Sequence, residues 1–276
     1  MKIYNNVTIG KGSFGKIVLG QHNSCLIAIK YCDETCFKLE YQMLKKINGK
    51  NKHVCKILKS NVSEKSLVFP LYGPSLSDVI SITKARKKNQ KFVTLLKPDI
   101  VAQIHNQMLE AVSFCHFHNI IHLDVKPNNF VLNYNMPHNR VILIDFGLAR
   151  NFSTNLSRCR SGSLRYMSKY LHTYDKPSFR DDLYSLIYST IMLYCGKLPW
   201  SNDTILKIKD KSKKHEYAKN MKENVTFLDL FKVKTQLSKH LFKCLTYMNK
   251  ITYAERPTYD KLAVANTVPT DDWKLI

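Results

Sequence analysis

Residues 120–150 read IIHLDVKPNNFVLNYNMPHNRVILIDFGLAR and carry the densest chemistry in the chain. Phe130-Val131-Leu132 and Val141-Ile142-Leu143-Ile144 are short apolar runs rich in β-formers. The asparagine-rich segment Asn133 to Asn139, with Pro137, is a turn cluster between them. The pattern predicts loop, strand, turn, strand, loop. Such a hairpin sets two loops side by side, the first offering Asp124, Lys126 and Asn129, the second Asp145 followed by Phe146 and Gly147. A carboxylate that accepts a hydroxyl proton, an ammonium that neutralises a phosphoryl group, and an amide plus a second carboxylate that hold Mg²⁺ are the parts phosphoryl transfer requires.

In order and spacing, His122-Leu123-Asp124-Val125-Lys126-Pro127-Asn128-Asn129 resembles the catalytic loop H-R-D-x-K-P-x-N of protein kinases, and Asp145-Phe146-Gly147 resembles their D-F-G. By that resemblance Asp124 orients and deprotonates the acceptor hydroxyl, Lys126 stabilises charge on the γ-phosphoryl, and Asn129 and Asp145 hold Mg²⁺, with Mn²⁺ as a substitute. Lys126, two residues past the base, is the family's mark of Ser/Thr specificity.

Upstream, apolar runs at 7–9, 17–19, 26–29, 54–58 and 67–69 are separated by turn residues and predict five strands. One helix, from about Asp33 to Ile47, falls between the third and fourth, capped by its aspartate and stopped near Gly49. Gly10-Lys11-Gly12-Ser13-Phe14-Gly15 sits between the first two strands. Alone, G-x-G-x-x-G is a weak signal; here a strand follows it, with no βαβ pattern around it, which argues against a dinucleotide site. In the kinase reading these residues cover the ATP phosphates. Ala28-Ile29-Lys30 matches the family's A-x-K, and Lys30 contacts the α and β phosphates. Its carboxylate partner is expected to be Glu40, mid-helix and in register with Phe37, Tyr41 and Leu44. Glu34 is the alternative, but an acid in the first turn is already explained by the helix dipole.

The segment from Leu67 to Asp78 passes from strand to loop to helix, and its Gly73-Pro74-Ser75-Leu76 resembles the casein kinase 1 branch, which includes the vaccinia-related kinases. That resemblance makes Phe69 the gatekeeper and gives the backbone of Pro70 and Tyr72 to adenine. It also places Ile17, Ala28 and Leu132 against the nucleotide. Asp78 either reaches the ribose or caps a helix. The overall expectation is an α+β, bilobal kinase fold in a single domain spanning 1–276. A small five-stranded antiparallel N-lobe with one helix covers 1–69, a hinge 70–78, and a larger, mostly helical C-lobe 79–276.

Beyond residue 98 the chain turns helical: Ile100, Ile104, Met108, Ala111 and Cys115 form one stripe, and a second helix opens at Asp181 and Asp182. Arg180 to Leu186 and Leu198-Pro199-Trp200 again resemble the casein kinase 1 branch, in which Asp182 bonds the backbone of the catalytic loop. Two departures stand out. Leu123 replaces the arginine that binds an activation-loop phosphate in many kinases, so activity independent of such phosphorylation is expected. A-P-E is absent near Ser161 to Ser168, which leaves Arg256 without the glutamate it pairs with elsewhere in the family.

The formal charge is +22, from 43 basic against 21 acidic residues. It suits a solvated surface and equally an attraction to acidic or phosphorylated protein sites or to nucleic acid. Arg158, Arg160, Arg165, Lys169 and Arg180 are expected beside the substrate groove, favouring acidic or pre-phosphorylated Ser/Thr sites. Size and lysine content are also similar to virus-encoded kinases of poxviruses and baculoviruses, which makes a very basic DNA-packaging protein the other candidate substrate. Eight scattered cysteines read as reduced thiols. With no signal-peptide core and no run of 18 apolar residues, an intracellular protein of cytoplasm or nucleus, without membrane attachment, is expected. Two rivals remain: an aminoglycoside-type small-molecule phosphotransferase, which lacks a counterpart of Lys126, and a pseudokinase scaffold binding nucleic acid or protein through its basic surface.

Overall fold

A computed structural model describes residues 2–12, 15–88, 94–133 and 140–265, with the backbone alone at 2–6, 140 and 203. Ser13, Phe14 and the turn at 134–139 lie outside the described residues.

The smaller lobe is built on period-two patterning. Val18, Ile27, Ile29 and Val68 share one face and form an apolar cluster. They belong to β2 (Gly15–His22), β3 (Cys25–Tyr31) and β5 (Ser66–Pro70), which join β1 (Lys2–Gly12) and β4 (Lys59–Asn61) in an antiparallel sheet of order β1-β2-β3-β5-β4. Helix α1 (Glu34–Ile47) starts where Asp33 accepts the Cys36 N–H at 2.9 Å and buries Phe37, Glu40, Met43, Leu44 and Ile47.

The fourth strand is not the apolar run 54–58. It lies later, at Lys59–Asn61. Val54 and Cys55 are buried because the other lobe takes them up: the Cys55 N–H donates to the Leu143 carbonyl at 2.9 Å, and the Leu143 N–H to the His53 carbonyl at 2.8 Å. Apolar content there marks a seam between lobes instead of a strand.

The larger lobe begins with α2 (Leu76–Arg86) and α3 (Pro98–Phe117). The short strands β6 (Ile120–Ile121), β7 (Phe130–Asn133), β8 (Arg140–Leu143) and β9 (Arg150–Asn151) follow, β7 pairing with β8 and β6 with β9. The rest is helical: α4 (Lys169–His172), α5 (Phe179–Cys195), α6 (Asp203–Lys207), α7 (Lys211–Glu223), α8 (Phe227–Leu230) and α9 (Gln236–Met248). The expected stripe of α3 is buried against α5, each such side chain contributing roughly 1.5–3 kcal/mol. Helix α5 differs from expectation in two ways. It starts at Phe179 behind Ser178, with Asp181 accepting the Ser178 N–H at 2.6 Å, and it is buried on every side as the central helix of its lobe. No helix among the described residues is long and apolar enough to cross a membrane.

Buried histidines make this fold sensitive to acid. Burial pushes His105, between α3 and α5, down to about 4, and His172 down to about 2. Their ordinary value is 6.5, so below it the unfolded chain takes up protons that the folded one does not. Stability is therefore full above that pH and is lost as pH falls through it. His215, nearer the surface, is pushed to about 4 and adds a smaller loss of the same sign. Asp181, raised to about 6 by burial, opposes them partially, since the folded state then holds the extra proton. Lowering pH from about 6.5 to about 5.5 is expected to cost roughly 1–2 kcal/mol, a Tm drop of about 3 °C or more. Thermal melts across that range check this; a flat Tm would contradict it.

Candidate active site

The catalytic loop is shaped by one residue of α5. Asp182 accepts the His122 N–H at 2.7 Å, the Leu123 N–H at 2.8 Å and the His116 Nε2–H at 3.0 Å. Those bonds hold Leu123 at φ 64°, a left-handed conformation that a leucine adopts only when its surroundings impose it. His122 Nε2 donates to the Ile144 carbonyl at 3.2 Å, which leaves Nδ1 to accept the Asp124 N–H at 3.3 Å. The loop is thereby tied to the strand that leads into Asp145.

Asp124 is buried and held by donors on both oxygens. Oδ1 accepts from Ser163 Oγ at 3.0 Å; Oδ2 accepts from Lys126 Nζ at 2.5 Å and Asn129 Nδ2 at 3.1 Å. Lys126 also donates to Ser163 Oγ at 3.1 Å, closing a triangle. The Asn129 amide donates a second bond to the Asp124 carbonyl at 2.9 Å, so both roles of its Nδ2 are fixed and its Oδ1 is left as an acceptor. Ser163 was not anticipated from sequence.

Across the cleft, Lys30 joins two elements from opposite lobes. Its Nζ lies 2.6 Å from Glu40 Oε2 on α1 and 2.7 Å from Asp145 Oδ1. The helix places Glu40 inward, and its Oε1 takes the Phe146 N–H at 3.2 Å, so the ten-residue spacing from Lys30 is no obstacle. Burial works against the Lys30 charge, but Glu40 and Asp145 outweigh it and hold the ammonium above the ordinary lysine range. Burial likewise pushes Asp145 up, and contact with Lys30 outweighs it, leaving this carboxyl below the usual range. Phe146 is fully buried, its ring 4.8 Å from that of His122.

Between the lobes lies a cavity of about 620 Å³. Gly10, Lys11, Gly12, Gly15 and Ile17 form its roof with Ala28, and Phe69, Pro70, Tyr72 and Asp78 one edge; Lys30, Glu40, Asn129 and Asp145 are at its polar end. Gly15 cannot be replaced: at φ 131° an added Cβ would sit 1.9 Å from the Tyr31 carbonyl oxygen. One assignment needs correction. Leu132 does not line the cavity; Val131 and Ile144 do. Alternation along β7 sends Leu132 into the core, where it is 1% exposed. Asp78 lines the edge, yet its Oδ2 accepts the N–H and hydroxyl of Ser75 at 2.8 and 2.7 Å, so the capping role is the one with visible bonds.

A second, more open cavity of about 840 Å³ shares Asn129 and Asp145 and adds Lys126, Ser163, Leu164, Arg165, Tyr166 and Trp200. Arg165 is exposed on its wall, and Arg158 and Arg160 are exposed nearby in sequence. Arg180, expected here, is not available: it is buried, with its guanidinium 3.5 Å from the Tyr170 ring centroid and Nη1 donating to the Ile251 carbonyl at 3.2 Å. Arg256 is also committed, donating to the His116 carbonyl at 3.0 Å and to Asn119 Oδ1, over the Phe179 ring.

Hard oxygen donors suit a divalent cation, and the chain offers two in the shared part of the cavities, the Asn129 Oδ1 and the Asp145 carboxylate. The orientation of the Asn129 amide fits that use, because its nitrogen is already bonded to Asp124.

A model of the protein kinase domain family matches residues 4–267. Two curated relatives, each described as a probable casein kinase I homolog of Encephalitozoon cuniculi, are 29% identical over 269 and 277 residues. The alignments cover 91% of this chain and 83% and 79% of theirs. These relatives support the casein kinase 1 likeness and do not bear on the one to virus-encoded enzymes. A match that spans all but the two ends of the sequence shows that the chain belongs to the protein kinase family, whose members use ATP and a divalent metal ion.

Proposed function

We propose that the protein transfers the γ-phosphoryl group of ATP to serine and threonine hydroxyls of proteins, with Mg²⁺, or Mn²⁺ in its place. The observation that carries this reading is Asp124, held by Lys126, Ser163 and Asn129, which themselves line the open cavity. An acceptor hydroxyl entering by the open cavity donates its proton to Asp124 while its oxygen attacks the γ-phosphorus, and the bond to the β-phosphate oxygen breaks to release ADP. Lys126, beside both the base and the entering hydroxyl, offsets the negative charge of the transferring group. Lys30 positions the α and β phosphates, and its two carboxylate partners keep it in place. Asn129 and Asp145 would hold a divalent cation, which would supply charge neutralisation on the phosphate chain.

Activity without activation-loop phosphorylation is supported by the packing of Leu123. Where an arginine would need an anion, Leu123 joins Ile121, Met167, Leu171 and Phe179, with Leu148, Phe152 and Leu156 against them. An apolar plug of this kind fixes the segment after Asp145 by burial, with no added charge. The exposed Arg158, Arg160 and Arg165 favour acidic or pre-phosphorylated sites, within a strongly basic chain that also suits contact with nucleic acid.

The test is transfer from labelled ATP by bacterially expressed, phosphatase-treated enzyme to an array of Ser/Thr peptides. Undiminished transfer, strongest on acidic or phosphorylated peptides, is expected. A large loss on phosphatase treatment would remove the independence, and preference for basic peptides would move the substrate to the DNA-packaging class.

A further inference from the structure

Lys222, in the lysine-rich helix α7, is buried, and its ammonium has three acceptors. Nζ donates to the Leu164 carbonyl at 2.9 Å, to the Met167 carbonyl at 2.7 Å and to His172 Nε2 at 2.9 Å. It also lies 5.2 Å from the Trp200 ring centroid and 5.3 Å from that of Tyr188. Trp200 in turn donates its Nε1–H to the Arg165 carbonyl at 2.7 Å. Three carbonyls of the turn from Leu164 to Met167 are thus taken by groups from outside it.

That turn is one wall of the open cavity, and it begins at Ser163, whose carbonyl accepts the Tyr166 and Met167 N–H groups at 2.8 and 2.9 Å. Ser163 Oγ reaches Asp124. A continuous set of bonds therefore runs from Lys222 through the turn to the catalytic base. The chain continues outward as well. An ammonium only donates, so His172 accepts at Nε2 and carries its proton on Nδ1, which donates to His215 Nδ1 at 2.9 Å. Burial keeps both histidines neutral, in agreement with these roles, and it works against the Lys222 charge, which three acceptors around Nζ favour.

Burying a charge is costly, and an apolar side chain of similar volume is the cheaper way to fill such a space. A lysine kept there with each of its three N–H bonds satisfied points to positioning. We propose that Lys222, oriented by His172 and His215, is the positioning residue that holds the protein-substrate wall in register with Asp124. It does so in place of an acidic residue within the 161–168 segment, and the inference rests on the kinase reading given above.

Lys222→Met keeps the packing against Trp200 and Tyr188 and removes the donors. Its KM for a peptide substrate is expected to rise by about tenfold or more, with the KM for ATP unchanged within about twofold. Amide hydrogen exchange is expected to quicken at Arg165–Ser168 and not at β3 or β5. An unchanged peptide KM, or ATP and peptide binding lost in parallel, overturns the proposal. Exchange is read without any substrate, so it judges the brace even if wild type transfers no phosphate to peptides, a result that would sink the functional reading alone. If Lys222→Met does not accumulate folded, the outer end serves. His215→Leu is expected to raise the peptide KM about threefold, and His215→Gln, which keeps an acceptor for His172, to restore it; equal values in both variants overturn the proposal.

Discussion

Asp124→Asn is expected to lower kcat by about 10³-fold while leaving ATP binding intact. The substitution removes the group that takes the hydroxyl proton and does little to the shape of the site. It also puts an NH₂ where an oxygen now accepts. Oδ2 accepts from Lys126 and Asn129, so an NH₂ turned that way would face two donors, whereas the Ser163 hydroxyl at Oδ1 can accept, and the new amide settles with its nitrogen toward Ser163. Lys30, proposed above to position the nucleotide, is anchored to Glu40 and Asp145 and not to Asp124, so affinity for ATP is expected to be independent of the change. Cation-dependent transfer of labelled phosphate, measured beside titration with a fluorescent ATP analogue, separates the two effects. A residual kcat within tenfold of wild type would mean that another group is the base.

Gly162→Ala is expected to be damaging as well, although no part of Gly162 takes part in the chemistry. At φ 96°, an added Cβ would lie 2.5 Å from the Leu123 carbonyl oxygen. The catalytic loop cannot yield, because Leu123 is itself in a left-handed conformation fixed by the bonds of Asp182 to two successive N–H groups. The 161–163 segment must move instead, taking Ser163 away from Asp124 and Lys126. Strain of this kind costs on the order of 1–3 kcal/mol, and if it falls on the geometry of transfer it removes about 10–100-fold of kcat. Steady-state kinetics together with a melting curve test this: a variant with wild-type kcat and wild-type Tm would show that the contact relaxes freely.

Much of the site was legible in the sequence because transfer chemistry restricts residue identity. A buried cation on β3 needs a carboxylate on the inner face of α1, and the register of Phe37, Tyr41 and Leu44 favoured Glu40 over Glu34; Lys30 lies 2.6 Å from Glu40. What could not be read depended on direction. Leu132 and Val131 are both apolar, and which of them faces the cavity depends on the parity of a four-residue strand. Arg180 and Lys222 look like surface charge when seen among other basic residues, and only packing shows each one buried against aromatic rings. Ser163 is one serine among several in a loop, and its closeness to Asp124 comes from a fold-back that no local pattern encodes. The misplaced fourth strand has the same cause: the core that buries Val54 and Cys55 belongs to the other lobe.

The two buried phenylalanines of the cleft bear on which small-molecule inhibitors this enzyme can accept. Phe69 is 8% exposed on the cavity wall, so a compound whose bulk extends past it meets an aromatic ring and not open space. A compound that needs the space Phe146 occupies must displace that fully buried ring. Here that means breaking its contact with His122, its N–H bond to Glu40 and the shared grip of Lys30 on Glu40 and Asp145 together. Both features favour ligands that stay within the cavity beneath Gly10, Gly12 and Gly15.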